Sequence, residues 1–441
     1  MSTSQFSLMR KKHFLPLFLT QFLGAFNDNV FKNSLVILIA FQGARMTDQD
    51  PKLMVNVCAG LFILPFFLFS ATAGQLADKF EKSRLIRLVK VLEIVIMAIA
   101  TVGFLQLHLS LLLVALFLMG MHSTLFGPLK YGILPQHLHE DEMIGGNALI
   151  ESGTFLAILL GTILGGTLIG LGDVGPHYAA AICITIAVLG YLSSRHIPIA
   201  GAPAPELAIN WNPLSETWRS LRFAKQNRPV FLSILGISWF WFYGAVFLSQ
   251  FPTYAKENLG GGETVVTLLL AIFSVGIGLG SLLCEKLSRH HVEPGIVPLG
   301  SIGLTLFAVD LYLASPASGH SELGVATFLA EPGSLRILAD LTLIGIFGGF
   351  YCVPLYAILQ TRSETSHRSR VIAANNIVNA LFMVVAALMA MVLLSQHFTV
   401  PQLFLVTALL NAAVAVYIYS VVPEYLNRFT ACFLSFFSRK A

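Results

Sequence analysis

The run Phe69-Ser70-Ala71-Thr72-Ala73-Gly74-Gln75-Leu76-Ala77-Asp78-Lys79-Phe80-Glu81-Lys82-Ser83-Arg84-Leu85-Ile86-Arg87-Leu88-Val89 leaves one apolar segment, crosses a short charged hinge and enters another. A chain that crosses lipid, turns in water and crosses back has this pattern. Hydrocarbon offers no partner to backbone N–H and C=O groups, so each crossing must satisfy its own backbone. Outward from this hinge the alternation continues in both directions. Apolar stretches lie near 13–41, 53–77, 84–106, 108–133, 146–170, 176–198, 229–255, 263–285, 295–316, 335–360, 370–396 and 400–421. Most reach the roughly 20 residues that a helix needs to span a bilayer. They are continuously apolar rather than alternating, which excludes a membrane β-barrel.

Composition agrees. The 441 residues are 56% hydrophobic and 11% charged, with a mean hydropathy of +0.76, whereas soluble domains carry about 25% charged residues. Such a chain needs lipid as its solvent. The expected fold is an all-α integral membrane protein with twelve transmembrane helices in two six-helix bundles. The first stretch follows Arg10, Lys11 and Lys12, but it is too long for a removable signal peptide and is interrupted by Asn27-Asp28-Asn29. The five cysteines, Cys58, Cys183, Cys284, Cys352 and Cys432, fall in or beside apolar segments without paired spacing and read as packing residues.

Orientation follows from lysine and arginine. With the amino terminus inside, inner segments hold Arg10, Lys11 and Lys12, then Lys79, Lys82, Arg84, Arg87 and Lys90. Arg195, Arg219, Arg222, Lys225, Arg228, Lys286, Arg289, Arg362, Arg368 and Arg370 follow on the same side. Outer segments hold Arg45, Lys52, Lys256 and Arg336. Both termini are therefore expected in the cytoplasm. The net charge of +4 expresses this bias and not a nucleic-acid footprint.

A polar, proline-containing segment, 199–228, separates the sixth and seventh stretches and divides the chain into an amino-terminal half, 1–198, and a carboxy-terminal half, 229–421. Trp211, Trp218 and the basic residues after Ser215 suit a helix on the membrane surface, and the segment reads equally as an unstructured tether. Residues 422–441 read as an amphipathic cytoplasmic tail. The halves echo each other. Gly127-Pro128-Leu129-Lys130-Tyr131-Gly132-Ile133-Leu134 corresponds to Val353-Pro354-Leu355-Tyr356-Ala357-Ile358-Leu359. Asn147 through Glu151 corresponds to Asn375-Asn376-Ile377-Val378-Asn379, and the hinge at Asp78 corresponds to Glu285-Lys286 with Arg289. Parallel repeats of this kind predict a binding site between the halves.

Three constellations carry chemistry. In the first, Gly74 lets its helix approach a neighbour, and Asp78 can pair with basic residues and with the positive end of a helix. With Lys79, Lys82 and Arg84 it forms a candidate conformational latch. The stretch resembles the signature loop between helices two and three of the major facilitator superfamily. In the second, Asp28 lies mid-way along the first stretch, where an ionised group costs about 2.5–3.5 kcal/mol on insertion scales. Gln21, Asp28, Asn29, Lys32 and Asn33 recur at helical spacing and can share a cavity-lining face, with Asp28 and Lys32 four apart and able to pair. In the third, Lys130 and Glu151 are charges among apolar residues that can serve each other. Gly153, Ala157, Gly161 and Gly165 place a small residue at every fourth position for close helix packing. No nucleotide-cradling loop, metal-ligand spacing or nucleophile with an adjacent base is present, and no cofactor is expected. His290-His291 are neighbours that do not share a helix face.

Gln21-Phe22-Leu23-Gly24-Ala25-Phe26-Asn27-Asp28-Asn29, Lys130-Tyr131-Gly132-Ile133-Leu134 and Gly348-Gly349-Phe350 with Val353-Pro354-Leu355 resemble the bacterial lysophospholipid transporters. The resemblance implies a major facilitator protein of the inner membrane, not an enzyme, that flips lysophospholipids to the cytoplasmic face for re-acylation. Asn29-Val30-Phe31-Lys32-Asn33 is closer to members fused to acyltransferase and acyl-ligase domains, which implies such a partner. Val422-Pro423-Glu424-Tyr425-Leu426 through Phe437 resembles the junction where the fused domain begins, and the chain ends at Ala441. Stand-alone members can carry an arginine in the seventh helix, where this chain has Phe247-Leu248-Ser249-Gln250. Phosphate recognition then falls to Lys32, Lys130 or Arg362. The implied substrate-binding set is Asp28, Asn29, Lys32, Lys130, Asn147, Glu151, Asn375 and Asn379. Phe231, Trp239, Phe240, Trp241, Phe242, Phe247 and Phe251 supply apolar walls for an acyl chain. A multidrug or small-solute exporter of the same fold is the second reading, and a non-transporting scaffold for an acyltransferase is the third.

Overall fold

The computed structural model describes residues 4–43, 46, 49–288, 291–317 and 323–437. Arg45, Arg289, His290 and Ala441 lie outside the described residues. The helices are α1 (Leu15–Gln42), α2 (Pro51–Lys79), α3 (Lys82–Leu105), α4 (Leu109–His137), α5 (Met143–Ile169), α6 (Gly175–Ser194), α7 (Pro213–Gln226) and α8 (Arg228–Thr253). They continue with α9 (Glu263–Ser288), α10 (Ile296–Ala314), α11 (Val325–Ala330), α12 (Ser334–Arg362), α13 (Arg368–Ser395), α14 (Val400–Val421) and α15 (Pro423–Phe437). Eleven spans among the described residues are long and apolar enough to cross a membrane. Helix α1 has 28 residues and the length to join them. Its run of Asn27, Asp28, Asn29, Lys32 and Asn33 lowers its hydropathy below theirs.

Chain breaks fall where local chemistry puts them. The Glu81 carboxylate caps α3, accepting the N–H groups of Ser83 and Arg84. Asn212 caps α7 in the same way, and Thr399 with Gln402 forms a capping box on α14.

The helices cluster into two compact units. The first comprises residues 1–139, 156–228 and 362–380. Its core runs through α1, α3, α4 and α6, with Phe31 set edge-on against Phe104 at 5.8 Å. The glycine stripe of α5 lies on α1: a Cβ at Gly161 would stand 2.7 Å from the Phe26 carbonyl oxygen, and one at Gly165 would stand 2.7 Å from that of Val30. Those glycines bring two backbones together where larger residues would hold them apart. The second unit comprises residues 140–155, 229–361 and 381–441. Here Gly276 of α9 faces Thr342 and Gly345 of α12 faces Phe273 at similarly short range. Phe247 of α8 stacks on Phe404 of α14 at 4.3 Å.

The 199–228 segment is ordered rather than a tether. It runs as a strap along the ends of α2 and α3 before forming α7. Ala200 N–H donates to Glu81, Ala204 N–H to the Asp78 carbonyl, and Asn210 N–H to Gln75. Lys79 and Arg87 donate back to the carbonyls of Leu207 and Ile197. On α7, Glu216, Ser220 and Ala224 are buried while Leu214 and Trp218 are exposed, as is Trp211 just before the helix.

Candidate functional site

Successive residues of a helix are rotated by about 100°, so the polar run of α1 fans out instead of forming one face. Asn27 points to α3, where its amide donates to Glu93 Oε1 at 2.7 Å. Asp28 points to α4, where its Oδ2 accepts the Ser123 hydroxyl at 2.6 Å. Its Oδ1 is buried and takes no hydrogen bond among the described residues. Asn29 is buried against Gly161, its amide donating to the Ala25 carbonyl one turn back, so the structure does not bring it to Asp28. Asn33 donates to Thr162 on α5. Lys32 turns away, with its ammonium 5.2 Å from the centre of the Phe62 ring. Among the described residues no ion pair joins Asp28 to Lys32, although the spacing permits one.

Sequence reasoning missed the charges behind Asp28. Lys90 and Glu93 of α3 are both fully buried and pair at 2.6 Å, and His122 of α4 lies 3.3 Å from the same Glu93 oxygen. Lys90 was expected among the cytoplasmic charges. It lies instead in the core, over the Phe126 ring at 5.2 Å. Its ammonium occupies a notch left by two glycines: a Cβ on Gly24 would stand 2.6 Å from Nζ, and one on Gly190 would stand 3.5 Å away. The signal was available. Lys90 and Glu93 are ionisable groups within an apolar stretch, the criterion that singled out Asp28.

The remaining candidates fall in both units. Lys130 is buried, with its ammonium 4.8 Å from the Tyr131 ring centre. Glu151 is buried in the second unit. Asn147 is committed to Gln360, the two amides bonding reciprocally at 2.8 and 3.0 Å. Asn379 is buried. Asn375 is also buried, and neither of its amide atoms has a hydrogen-bond partner among the described residues. In the second unit Trp241 Nε1 donates to the Tyr356 hydroxyl at 3.1 Å, and Phe155 stacks on Trp241, forming an aromatic wall.

The hinge residues do meet. Asp78 is fully buried at the amino terminus of α13, where Oδ1 accepts Ser369 N–H at 3.0 Å and Oδ2 accepts Arg370 N–H at 3.2 Å. The Arg370 guanidinium closes the pair through Nε at 3.1 Å. A Cβ on Gly74 would stand 2.7 Å from that of Ala373, so Gly74 is what lets α2 reach α13. Helix α7 covers the cluster: Glu216 lies 3.9 Å from Arg370 Nη1, and Phe223 lies beneath the guanidinium. Lys79 is tied to the strap. Lys82 is buried, its side chain lying against the Gly132 position of α4. Arg84 is exposed on α3. Neither Arg370 nor Glu216 was foreseen as part of this cluster.

Known proteins match this arrangement. The model of the Major Facilitator Superfamily matches residues 17–334. Lysophospholipid transporter LplT of Escherichia fergusonii is 30% identical over 352 residues, spanning 78% of this chain and 79% of that protein. LplT of Cronobacter sakazakii is 28% identical over 355 residues, spanning 80% and 81%. Among solved structures, the transporter FucP in its outward conformation superposes with a TM-score of 0.70 at 14% identity, over 92% of this chain and 99% of that one. A bacterial homologue of the iron transporter ferroportin gives a TM-score of 0.65 at 15% identity, over 92% and 99%. Identity that low speaks to the fold alone. The family match and the LplT relatives together make this chain a multi-pass membrane protein of the major facilitator superfamily, belonging there with the bacterial lysophospholipid transporters.

Proposed function

We propose that the chain is a lysophospholipid transporter that moves lysophosphatidylethanolamine-type lipids across the inner membrane to the cytoplasmic leaflet for re-acylation, by alternating access. The observation that carries the substrate reading is Asp28, a carboxylate in the middle of a membrane-spanning helix that has, among the described residues, one oxygen without a hydrogen bond and no ion pair. Such a group is costly in lipid unless a ligand uses it. An ethanolamine ammonium would complete it with charge-assisted hydrogen bonds. Lys32, one turn along α1 and in no ion pair among the described residues, is the cation suited to the phosphate.

Asp78, Arg370 and Gly74 form the latch that one conformation makes and the other releases. The six-plus-six division at the 199–228 strap, both termini in the cytoplasm and an acyltransferase/acyl-ligase partner complete the reading. The LplT relatives, by their names, support lysophospholipid as the transported lipid, and a transporter needs no catalytic residue of its own.

The test is uptake of labelled lysophosphatidylethanolamine in cells lacking their own transporter, followed as label recovered in diacyl lipid. Label should accumulate when this chain is expressed. No gain, with the protein present in the membrane, would sink the proposal. Drug efflux in its place would turn the assignment to an exporter.

A further inference from the structure

Asp28 sits beside a cation that does not pair with it. The Lys90 ammonium rests against Gly24, which is one helical turn before Asp28 on α1. A turn is about 5.4 Å, within the swing of a four-carbon side chain. The nearest carboxylate to that lysine in space is nonetheless Glu93, at 2.6 Å. Glu93 is itself fully employed: Oε1 accepts the Asn27 amide at 2.7 Å, and Oε2 meets both Lys90 and His122.

We infer that the buried Lys90–Glu93 pair is a specificity device that holds Lys90 off Asp28 and so keeps Asp28 open for the cationic head group of the substrate. The inference rests on the reading of Asp28 as the ammonium acceptor. Its physical basis is charge balance in a medium that screens little. A buried cation seeks the nearest carboxylate, and one that loses its partner costs far more than a pair replaced by neutral groups. With Glu93 in place, Lys90 is neutralised where it stands and Asp28 keeps an unpaired oxygen. Without Glu93, Asp28 is the closest remaining acid on α1, and Lys90 would occupy the position that the ammonium needs. Glu93 and Lys90 are thus positioning residues, touching no substrate themselves. The remaining ionisable groups around the cluster are accounted for. His122 from α4 meets Glu93 at 3.3 Å and also lies within electrostatic reach of Asp28, Lys32 from α1 lies over Phe62 within reach of the same carboxylate, and α2 and α6 contribute the buried thiols Cys58 and Cys183 to the adjoining core.

The experiment compares uptake of lysophosphatidylethanolamine with that of lysophosphatidylglycerol, whose head group carries no cation, in membranes holding equal amounts of each variant. Asp28→Asn tests the underlying reading and should lower the ethanolamine-to-glycerol ratio about tenfold, the scale of one charge-assisted hydrogen bond. Glu93→Gln keeps an acceptor for Asn27 and should lower the ratio as far as Asp28→Asn does. The double variant Lys90→Met/Glu93→Gln removes both charges and should restore the wild-type ratio. A fold defect would depress both lipids together and leave the ratio unmoved. If Asp28→Asn lowers the ratio and Glu93→Gln leaves it at the wild-type value, the inference is overturned and the head-group reading stands. If Asp28→Asn leaves the ratio unchanged, the head-group reading falls and takes the inference with it. Where Glu93→Gln fails to reach the membrane, the double variant decides: a wild-type ratio supports the device, and a ratio as low as that of Asp28→Asn overturns it.

Discussion

Arg370 is bound to Asp78 twice, through its backbone N–H at 3.2 Å and its guanidinium Nε at 3.1 Å, both on the same carboxylate oxygen. The first contact belongs to the amino terminus of α13, where backbone N–H groups and the helix dipole favour an anion. The second is a side-chain ion pair. One carboxylate therefore joins the end of α2 to the start of α13 by two independent electrostatic means.

Asp78→Asn should slow transport about tenfold or more, while lysolipid affinity changes by less than about threefold. The amide can still accept one hydrogen bond but leaves Arg370 buried beside Glu216 alone, 3.9 Å away. Removing one member of a buried pair costs about 3–5 kcal/mol, and that cost falls on the conformation in which α2 meets α13. Binding and transport measured on the same purified variant decide the matter. Lost affinity in a folded protein would instead make Asp78 a ligand residue.

Gly74→Val should act on the same contact by bulk rather than charge. The new side chain would start 2.7 Å from the Ala373 Cβ and 2.8 Å from the Arg370 Cα. Forced overpacking costs about 1–3 kcal/mol. The thermal midpoint should fall, and Asp78→Asn added to it should cost less than it does alone, because the contact is already broken. Additive losses in that cycle would separate the two residues.

Glu81 gives a pH signature. Burial raises its pKa, but hydrogen bonds from Ala200, Ser83 and Arg84 outweigh burial and hold the carboxyl below its ordinary 4.5. A depressed folded-state pKa means stability that is present above the unfolded value and lost as pH falls through the folded one. The strap and the α3 cap should therefore loosen in acid. Wild-type thermal stability should decline below about pH 4.5, and Glu81→Gln, lower at neutral pH, should decline less over that interval. Parallel curves for the two proteins would remove Glu81 from the effect.

The hinge at Asp78 shows what a sequence makes legible in this fold and where it stops. Helix lengths are set by bilayer thickness and backbone satisfaction, so α2 and α3 can be read from hydropathy. Close approach at Gly74 follows from the absence of a side chain. The partner, Arg370, lies 292 positions away and sits among several equally basic neighbours, so no local pattern selects it. Lys90 failed differently. Its nearness to the charged hinge mimics a cytoplasmic lysine, and only the depth of α3 separates the two cases. The polar run of α1 was read as one face because spacings of three and four dominate it. Three consecutive positions, Asn27, Asp28 and Asn29, belong to three different directions, and their neighbours α3, α4 and α5 decide what each does.

Asp28→Asn tests the centre of the proposal. The substitution preserves shape and keeps an oxygen for the Ser123 hydroxyl, which now donates at 2.6 Å. Folding and insertion should be normal, and stability should rise if anything, because an unpaired charge leaves the apolar interior. Transport of lysophosphatidylethanolamine should nevertheless fall about tenfold or more, the scale of one lost charge-assisted hydrogen bond. Lysophosphatidylglycerol should lose less, having no ammonium to place. A structural role predicts otherwise, because a scaffold defect does not distinguish head groups. Lys32 separates the remaining alternatives: its ammonium lies over Phe62 and not on Asp28, so Lys32→Gln should weaken both lipids through their common phosphate. Equal loss of both lipids in Asp28→Asn would make the carboxylate structural, and undiminished transport of both would remove it from the mechanism.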